Sequence, residues 1–191
     1  KYMPITAVTF GLGYLAIIGV PPFAGFYSKD KIIEVAFNAG GVKGIIFGGA
    51  ALLGAAITAF YMSRVMLMTF AGNKRWAGDA HPHESPILMW APMAVLAVGS
   101  VTSGFLLNKG SAMVNWLAPV VDKHHHEHSE VIPAATVSLM AIAAVVIGVA
   151  SAVMKYRGEL AQVAPANVSI WTRFVRRDLL QDDANEFLFM R

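Results

Sequence analysis

The sequence PPFAGFYSKD at residues 21–30 interrupts a long apolar stretch and places the pair Lys29-Asp30 where hydrocarbon should lie. Residues 2–28 contain no charged side chain. Proline has no backbone N–H and its ring clashes with the preceding turn, so a helix that reaches Pro21 and Pro22 must break. Non-helical backbone at membrane depth is tolerated only when it is buried in protein or lines a water-filled cavity. The pattern indicates a discontinuous transmembrane helix of the kind found in transporters.

The chain as a whole contains few charged residues. Charged residues make up 14% of 191 residues and hydrophobic residues 56%, whereas a soluble domain carries roughly 25% charged residues. Four stretches without Asp, Glu, Lys, Arg or His each reach the ~20 residues that cross a hydrocarbon core. We predict an all-α, polytopic membrane helix bundle with one discontinuous helix, its spans lying at about 4–37 (broken near 20–25), 42–70, 86–108 and 133–154.

The chain divides into a transmembrane portion, residues 1–154, and a charged tail, residues 155–191. The tail holds six Lys or Arg and five Asp or Glu residues. Its apolar residues fall at helical spacing opposite Arg173, Arg176 and Arg177, which predicts an amphipathic segment on the membrane surface or on neighbouring subunits. These apolar residues are Ile170, Trp171, Phe174, Val175, Leu179 and Leu180.

Small residues and lone charges indicate packing and orientation. Two predicted spans carry small residues at helical spacing, which is typical of close helix packing. The small residues are Gly44, Gly48, Ala51, Ala55 and Ala59 in the second span, and Ala134, Ser138, Ala141, Gly148 and Ser151 in the fourth.

The distribution of basic residues predicts the orientation in the membrane. Ten Lys or Arg residues fall on the side of the two chain ends and three on the other side, so the positive-inside rule predicts cytoplasmic ends.

Metal and redox chemistry find little support in this chain. The absence of cysteine excludes thiolate zinc sites and cysteine-ligated iron–sulfur clusters. The tract His124 to His128 resembles a metal-binding sequence, but consecutive residues cannot all converge on one ion. We expect no metal site, and any redox chemistry should belong to another chain.

Lys29 is the main candidate for function. A lysine that is desolvated can exchange a proton near neutral pH, and a neighbouring carboxylate such as Asp30 modulates that exchange. The alternative is that Lys29 has no role in proton transfer and only reaches the membrane interface from a helix end, because Lys31 and Glu34 follow within one turn. Asp30 and Glu34 are expected to share a helix face while Lys29 projects elsewhere.

Three motifs carry a family resemblance. LAIIGVPPFAGFYSKD at residues 15–30 resembles the broken-helix motif of antiporter-like subunit L of proton-pumping NADH:quinone oxidoreductase, respiratory complex I. HESP at 83–86, with Met89 and Pro92, is similar to the start of a later helix in that family. RRDL at 176–179, continuing to Met190-Arg191, is similar to the stretch after its penultimate core helix.

The resemblance implies the C-terminal portion of a proton-translocating subunit of a translocase enzyme in the bacterial inner membrane. Lys29 matches the lysine that helps deliver protons to the outer side, Asp30 matches the acidic residue beside it, and Pro21, Pro22 and Gly25 match the break. Other central Lys and Glu residues of the family lie on earlier helices that this sequence lacks. NADH, FMN, iron–sulfur clusters and quinone are expected in partner subunits, with neighbouring antiporter-like subunits and lipid, but no nucleic acid, as partners.

Two other functions remain open at this point. The large subunit of an Mrp-type sodium/proton antiporter shares the broken helix, although it usually continues into a further hydrophobic domain. A structural clamp of the membrane arm, with no ion path, is the third possibility.

Overall fold

The computed structural model describes residues 2–71, 80–120, 132–158, 168–170 and 172. Within the compact unit of residues 1–159, the described chain forms six α-helices and one 3-10 turn, which confirms the predicted all-α class. The predicted amphipathic tail and the His124–His128 tract lie outside the described residues, apart from 155–158 and the few tail positions above. The helices are α1 (Pro4–Ile18), α2 (Ala24–Asn38), α3 (Gly41–Phe70), α4 (Ile87–Asn108), α5 (Ala112–Leu117) and α6 (Ala134–Tyr156).

The first apolar stretch forms two helices, α1 and α2, rather than one. α1 ends because Gly19 adopts φ 83°, a left-handed conformation that glycine takes without steric cost. The Val20 N–H then donates to the Leu15 carbonyl at 3.1 Å and closes the helix end. The break therefore covers residues 19–23, slightly earlier than the predicted 20–25. Gly25 was predicted to belong to the unwound connection, but it lies in the first turn of α2.

Three segments among the described residues are long and apolar enough to cross a membrane: α3, residues 87–117 including α4, and α6. Their helices begin and end close to the predicted spans 42–70, 86–108 and 133–154. α1 is apolar but only 15 residues long, about 22 Å at 1.5 Å per residue, so it is shorter than a hydrocarbon core of ~30 Å. That α1 and α2 together make one discontinuous span stays a prediction.

α3 and α6 pack closely along the predicted small-residue faces. Ala55 and Ala59 of α3 and Ala141 and Gly148 of α6 are buried. A Cβ on Gly148 would overlap the carbonyl oxygen of Ala56 and lie 2.9 Å from the Ala59 Cβ. The two backbones approach this closely only because these residues are small, so the predicted packing role of the two faces is confirmed.

The other half of the α3 small-residue face receives α2. Gly44 and Gly48 are buried, and a Cβ at either position would collide with Phe37 of α2. α2 also contacts α6, where Ile33 joins Val137 and Ala141 in the buried apolar cluster of the bundle. The small residues of α3 thus hold both α2 and α6.

α4 lies against both helices that flank the break. Gly104 is buried, and a Cβ there would lie 2.6 Å from the Ala24 Cα and 2.7 Å from the Tyr27 ring. After α4, a 3-10 turn (Lys109–Ser111) leads into the six-residue helix α5. Trp116 of α5 is 75% exposed, and tryptophan is enriched at membrane–water interfaces.

Replacing Gly148 with alanine should loosen the α3–α6 contact. Overpacking of a well-filled contact typically costs about 1–3 kcal/mol, and here the added Cβ meets backbone atoms that cannot rotate away. The Gly148→Ala variant of the full-length protein is therefore expected to have a lower free energy of unfolding in detergent.

Gly54→Ala is the matched control, because Gly54 lies inside α3 and a Cβ there meets nothing within 4 Å. The free energy of unfolding of the Gly54→Ala variant should rise by about 0.5–1 kcal/mol, because alanine has a higher helix propensity than glycine. Equal effects of the two variants would contradict the close packing of α3 and α6.

Candidate functional site

The candidate site is a small cavity beside the break between α1 and α2. Lys29 and Asp30 of α2 line it, together with Ile18 and Gly19 at the end of α1. Its other walls are apolar side chains of α2, α3 and α6, namely Ile33, Ala55, Ala141, Ile142 and Val145. Two ionisable side chains thus face a cavity that is otherwise built of backbone and hydrocarbon.

Glycines at the break bring Lys29 into the cavity. A Cβ on Gly25 would overlap the carbonyl oxygen of Ala16, so only glycine allows the first turn of α2 to cross the last turn of α1 this closely. A Cβ on Gly19 would lie 3.4 Å from the Lys29 Cδ, so the lysine side chain runs back along the end of α1. The break therefore serves to shape the cavity as well as to end a helix.

In the described part of the chain, two charged atoms of the cavity have no hydrogen-bond partner. Lys29 Nζ and Asp30 Oδ2 are both buried, and neither has a partner among the described residues. An unpaired ionic group buried in hydrocarbon is strongly unfavourable, so such groups bind water or change protonation state. The cavity has room for about one water molecule, which is the size needed to bridge an ammonium and a carboxylate.

The four charged residues at the centre of α2 fall into two environments. Lys31 Nζ and Glu34 Oε2 form an ion pair at 2.8 Å, with the Lys31 side chain 71% exposed. Lys29 and Asp30 instead face the cavity. Neighbouring residues are ~100° apart on a helix, as expected for Lys29 and Asp30, but both side chains nevertheless line the same cavity at the end of α1.

A polar contact between α1 and α3 was not predicted from the sequence. The Tyr14 hydroxyl of α1 lies 2.8 Å from Ser63 Oγ of α3. Ser63 is buried and donates to the Ala59 carbonyl at 2.6 Å, so the tyrosine is the donor in the pair. The only sequence signal for this contact is the presence of two hydroxyl residues inside apolar spans.

Another contact joins the segment before α4 to the start of α1. Both oxygens of Glu84 accept backbone N–H groups, from Ile5 at 2.9 Å and from Thr6 at 3.1 Å. These residues are separated by 79 and 78 positions, so no local pattern predicts the contact. A weak signal is that α1 has no capping side chain of its own, while Glu84 lies just ahead of an apolar run.

Metal binding has no support among the described residues, where no group of three or more His, Asp or Glu side chains is arranged to hold an ion. The tract His124 to His128 lies outside the described residues, so its predicted lack of a metal site stays a prediction. The cavity residues themselves supply one amine and one carboxylate, a set suited to moving a proton rather than holding a cofactor.

The first 58 residues, which contain the break, Lys29 and Asp30, match the family described as NADH:quinone oxidoreductase/Mrp antiporter, TM. Over 190 residues the chain is 54% identical to NADH-quinone oxidoreductase subunit L of Mycobacterium tuberculosis (strain CDC 1551 / Oshkosh). That match covers 99% of this chain. The chain belongs to the NADH-quinone oxidoreductase subunit L family.

Shorter matches to other relatives agree with this family. NAD(P)H-quinone oxidoreductase chain 5 of Picosynechococcus sp. (strain ATCC 27264 / PCC 7002 / PR-6) is 47% identical over 126 residues, which cover 56% of this chain and 18% of that protein. Subunit L of Rickettsia bellii (strain RML369-C) is 42% identical over 106 residues, which cover 54% of this chain and 16% of that protein. The chain spans 30% of the length of the Mycobacterium tuberculosis subunit L, consistent with the predicted C-terminal portion. The family resemblance inferred from the motifs is confirmed.

Proposed function

We propose that this chain is part of a proton-translocating membrane subunit of NADH:quinone oxidoreductase and that Lys29 transfers protons beside the helix break. The observation that carries the proposal is the buried Lys29 ammonium, which lines a small cavity together with Asp30 and has no hydrogen-bond partner among the described residues. Its family membership supports the assignment, since the relatives it matches are named as subunits of that enzyme.

The chemistry needs only the two ionisable side chains and water. The Lys29 ammonium donates a proton and the neutral amine accepts one, so the side chain can alternate between two states. The Asp30 carboxylate stabilises the ammonium electrostatically, because opposite charges attract strongly where water is scarce. A change in the separation of the two groups therefore shifts the balance between holding and releasing the proton. The unwound backbone at residues 19–23 gives water a route that a continuous helix would close.

The energy for translocation would come from other subunits. Among the described residues no group of three or more His, Asp or Glu side chains could hold a metal ion, and the chain contains no cysteine. From the family resemblance, we propose that NADH, FMN, the iron–sulfur clusters and quinone bind to partner subunits. Apolar side chains cover the outward faces of the long helices, among them Ile46 and Leu53 of α3 and Leu96 of α4. These faces are suited to lipid and to neighbouring antiporter-like subunits of the membrane arm.

Lys29→Ala should lower the number of protons pumped per electron while the complex still assembles and still reduces artificial electron acceptors. Lys29→Arg should also pump few protons per electron, because a guanidinium has a pKa far above neutral and does not release its proton near neutral pH. The measurement is proton pumping per electron in vesicles that contain the intact complex with the full-length chain.

Lys31→Ala is the matched control for Lys29→Ala. Lys31 lies two residues further along α2, but its side chain is exposed and paired with Glu34 on the helix surface. The complex with Lys31→Ala should pump the wild-type number of protons per electron. A wild-type ratio in Lys29→Ala and Lys29→Arg would instead support the structural clamp, with Lys29 as a mere interfacial charge.

We also propose that both ends of this segment face the cytoplasm and that the connection between α5 and α6 faces outside. The excess of Lys and Arg near the two ends and in residues 72–85 supports this orientation. In intact cells, a membrane-impermeant thiol reagent should label a cysteine at Val120, which is 87% exposed. A cysteine at Gly158 should react only after permeabilisation. The reverse pattern would overturn the orientation.

A sodium/proton antiporter is the second candidate, because the matching family description includes Mrp antiporters. The two functions differ in what drives ion movement. Co-purification of the full-length chain with quinone-reductase subunits, and pumping that depends on electron transfer, support the first. Sodium-dependent proton exchange without electron transfer supports the second.

A further inference from the structure

The first turn of α1 receives its hydrogen-bond acceptors from a distant part of the chain. The first N–H groups of a helix have no partner within it. In α1, Pro4 has no N–H, and the Ala7 N–H donates to a backbone carbonyl at 3.0 Å. The two amides between them, of Ile5 and Thr6, both donate to Glu84. Glu84 therefore completes the first turn of α1.

The same carboxylate accepts a third hydrogen bond, from the Thr6 hydroxyl at 2.5 Å. This bond lowers the pKa of Glu84 below its ordinary value, and the two backbone N–H groups add to the effect against some opposing desolvation. Because the pKa is lowered, the bonds to the charged carboxylate persist above that lowered value and are lost as the pH falls through it. At neutral pH Glu84 is thus an ionised cap with three donors.

α4 extends this contact to the far side of the break. It begins three residues after Glu84 and packs against both α1 and α2. From Ile87 to Gly104 its axis is about 26 Å long at 1.5 Å per residue. At Gly104 it meets the first turns of α2 in a contact that leaves no space for a Cβ. The segment that starts at the cap of α1 therefore ends against the start of α2.

We propose that Glu84 is a positioning residue for the Lys29 cavity, holding α1 in place against α4 while α4 holds α2. This inference rests on the proposed function of Lys29. Ile18 and Gly19, at the other end of α1, form one wall of the cavity. A straight helix transmits a shift of its first turn to its last turn, so loss of the cap displaces this wall relative to Lys29.

The contact of Glu84 with Ile5 and Thr6, called the tether below, holds α1 against the start of α4. It can be tested in the intact complex by measuring the distance between spin labels at Val8 of α1 and Leu88 of α4, which are both exposed. Glu84→Gln replaces one acceptor oxygen with an NH₂ group that faces the backbone donors, so the distance distribution should widen. Thr6→Val removes only the hydroxyl donor and should widen it less. Thr9→Val is the matched control, because the Thr9 hydroxyl bonds only to carbonyls of its own helix in the described chain. Its distribution should equal that of the wild type.

The link to Lys29 is tested by a double-mutant cycle on protons pumped per electron. Glu84→Gln should lower this ratio, but in a Lys29→Met background it should lower it no further. A merely structural Glu84 would reduce the amount of assembled complex and leave the ratio unchanged. An unchanged ratio in Glu84→Gln, or an additive loss with Lys29→Met, would overturn the positioning role.

The two proposals fail in different ways. A wild-type ratio in Lys29→Met overturns the proposed function of Lys29 and, with it, the purpose assigned to the tether. A widened label distribution in Glu84→Gln would then still support the tether as a cap. An unchanged distribution in Glu84→Gln overturns the tether whatever Lys29 does.

Discussion

The burial of two ionisable groups in an apolar bundle is the constraint on which the arrangement at the break depends. Lys29 Nζ and Asp30 Oδ2 are buried without hydrogen-bond partners in the described chain, a state that hydrocarbon alone would not tolerate. The break supplies unwound backbone, a small cavity and a gap between helix ends. The features that keep the break open therefore also maintain the site.

Small residues let the bundle meet this constraint. Gly25 allows α2 to cross the end of α1, and Gly104 allows α4 to lie against α2 on the other side. Gly148 brings α6 close to α3, and both of these helices contribute walls of the cavity. In a membrane, where apolar burial between helices gains little, close backbone packing of this kind is a main source of stability. The same packing fixes the cavity dimensions to about those of a single water.

Much of the fold follows from the sequence because its strongest signals are local. Pro21 and Pro22 remove hydrogen-bonding capacity at fixed places, and charge-free stretches of sufficient length predict the long helices. The exact break was missed because Gly19 ends α1 before the prolines, through a left-handed conformation that many glycines do not adopt. Gly25 was assigned to the break although the crossing with α1 requires it inside α2.

The site was only partly predictable because its geometry depends on contacts between distant elements. Helical spacing separated Lys29 from Asp30, but the open end of α1 gives both residues access to one cavity. Glu84 carries no local sign that it completes the first turn of a helix 78 and 79 positions away. Residue types and spacing thus made Lys29 a candidate, whereas its surroundings and the contact of Glu84 with α1 required the three-dimensional structure.

The most direct test of proton transfer by Lys29 through water at the break is a map of the intact complex at a resolution that shows ordered water. If Lys29 exchanges protons with water at the break, the map should show a water within hydrogen-bond distance of both Lys29 Nζ and Asp30 Oδ2, connected to further waters at the unwound residues 19–23. A dry cavity, or a Lys29 ammonium paired directly with a carboxylate of the complete protein and closed off from water, would contradict it.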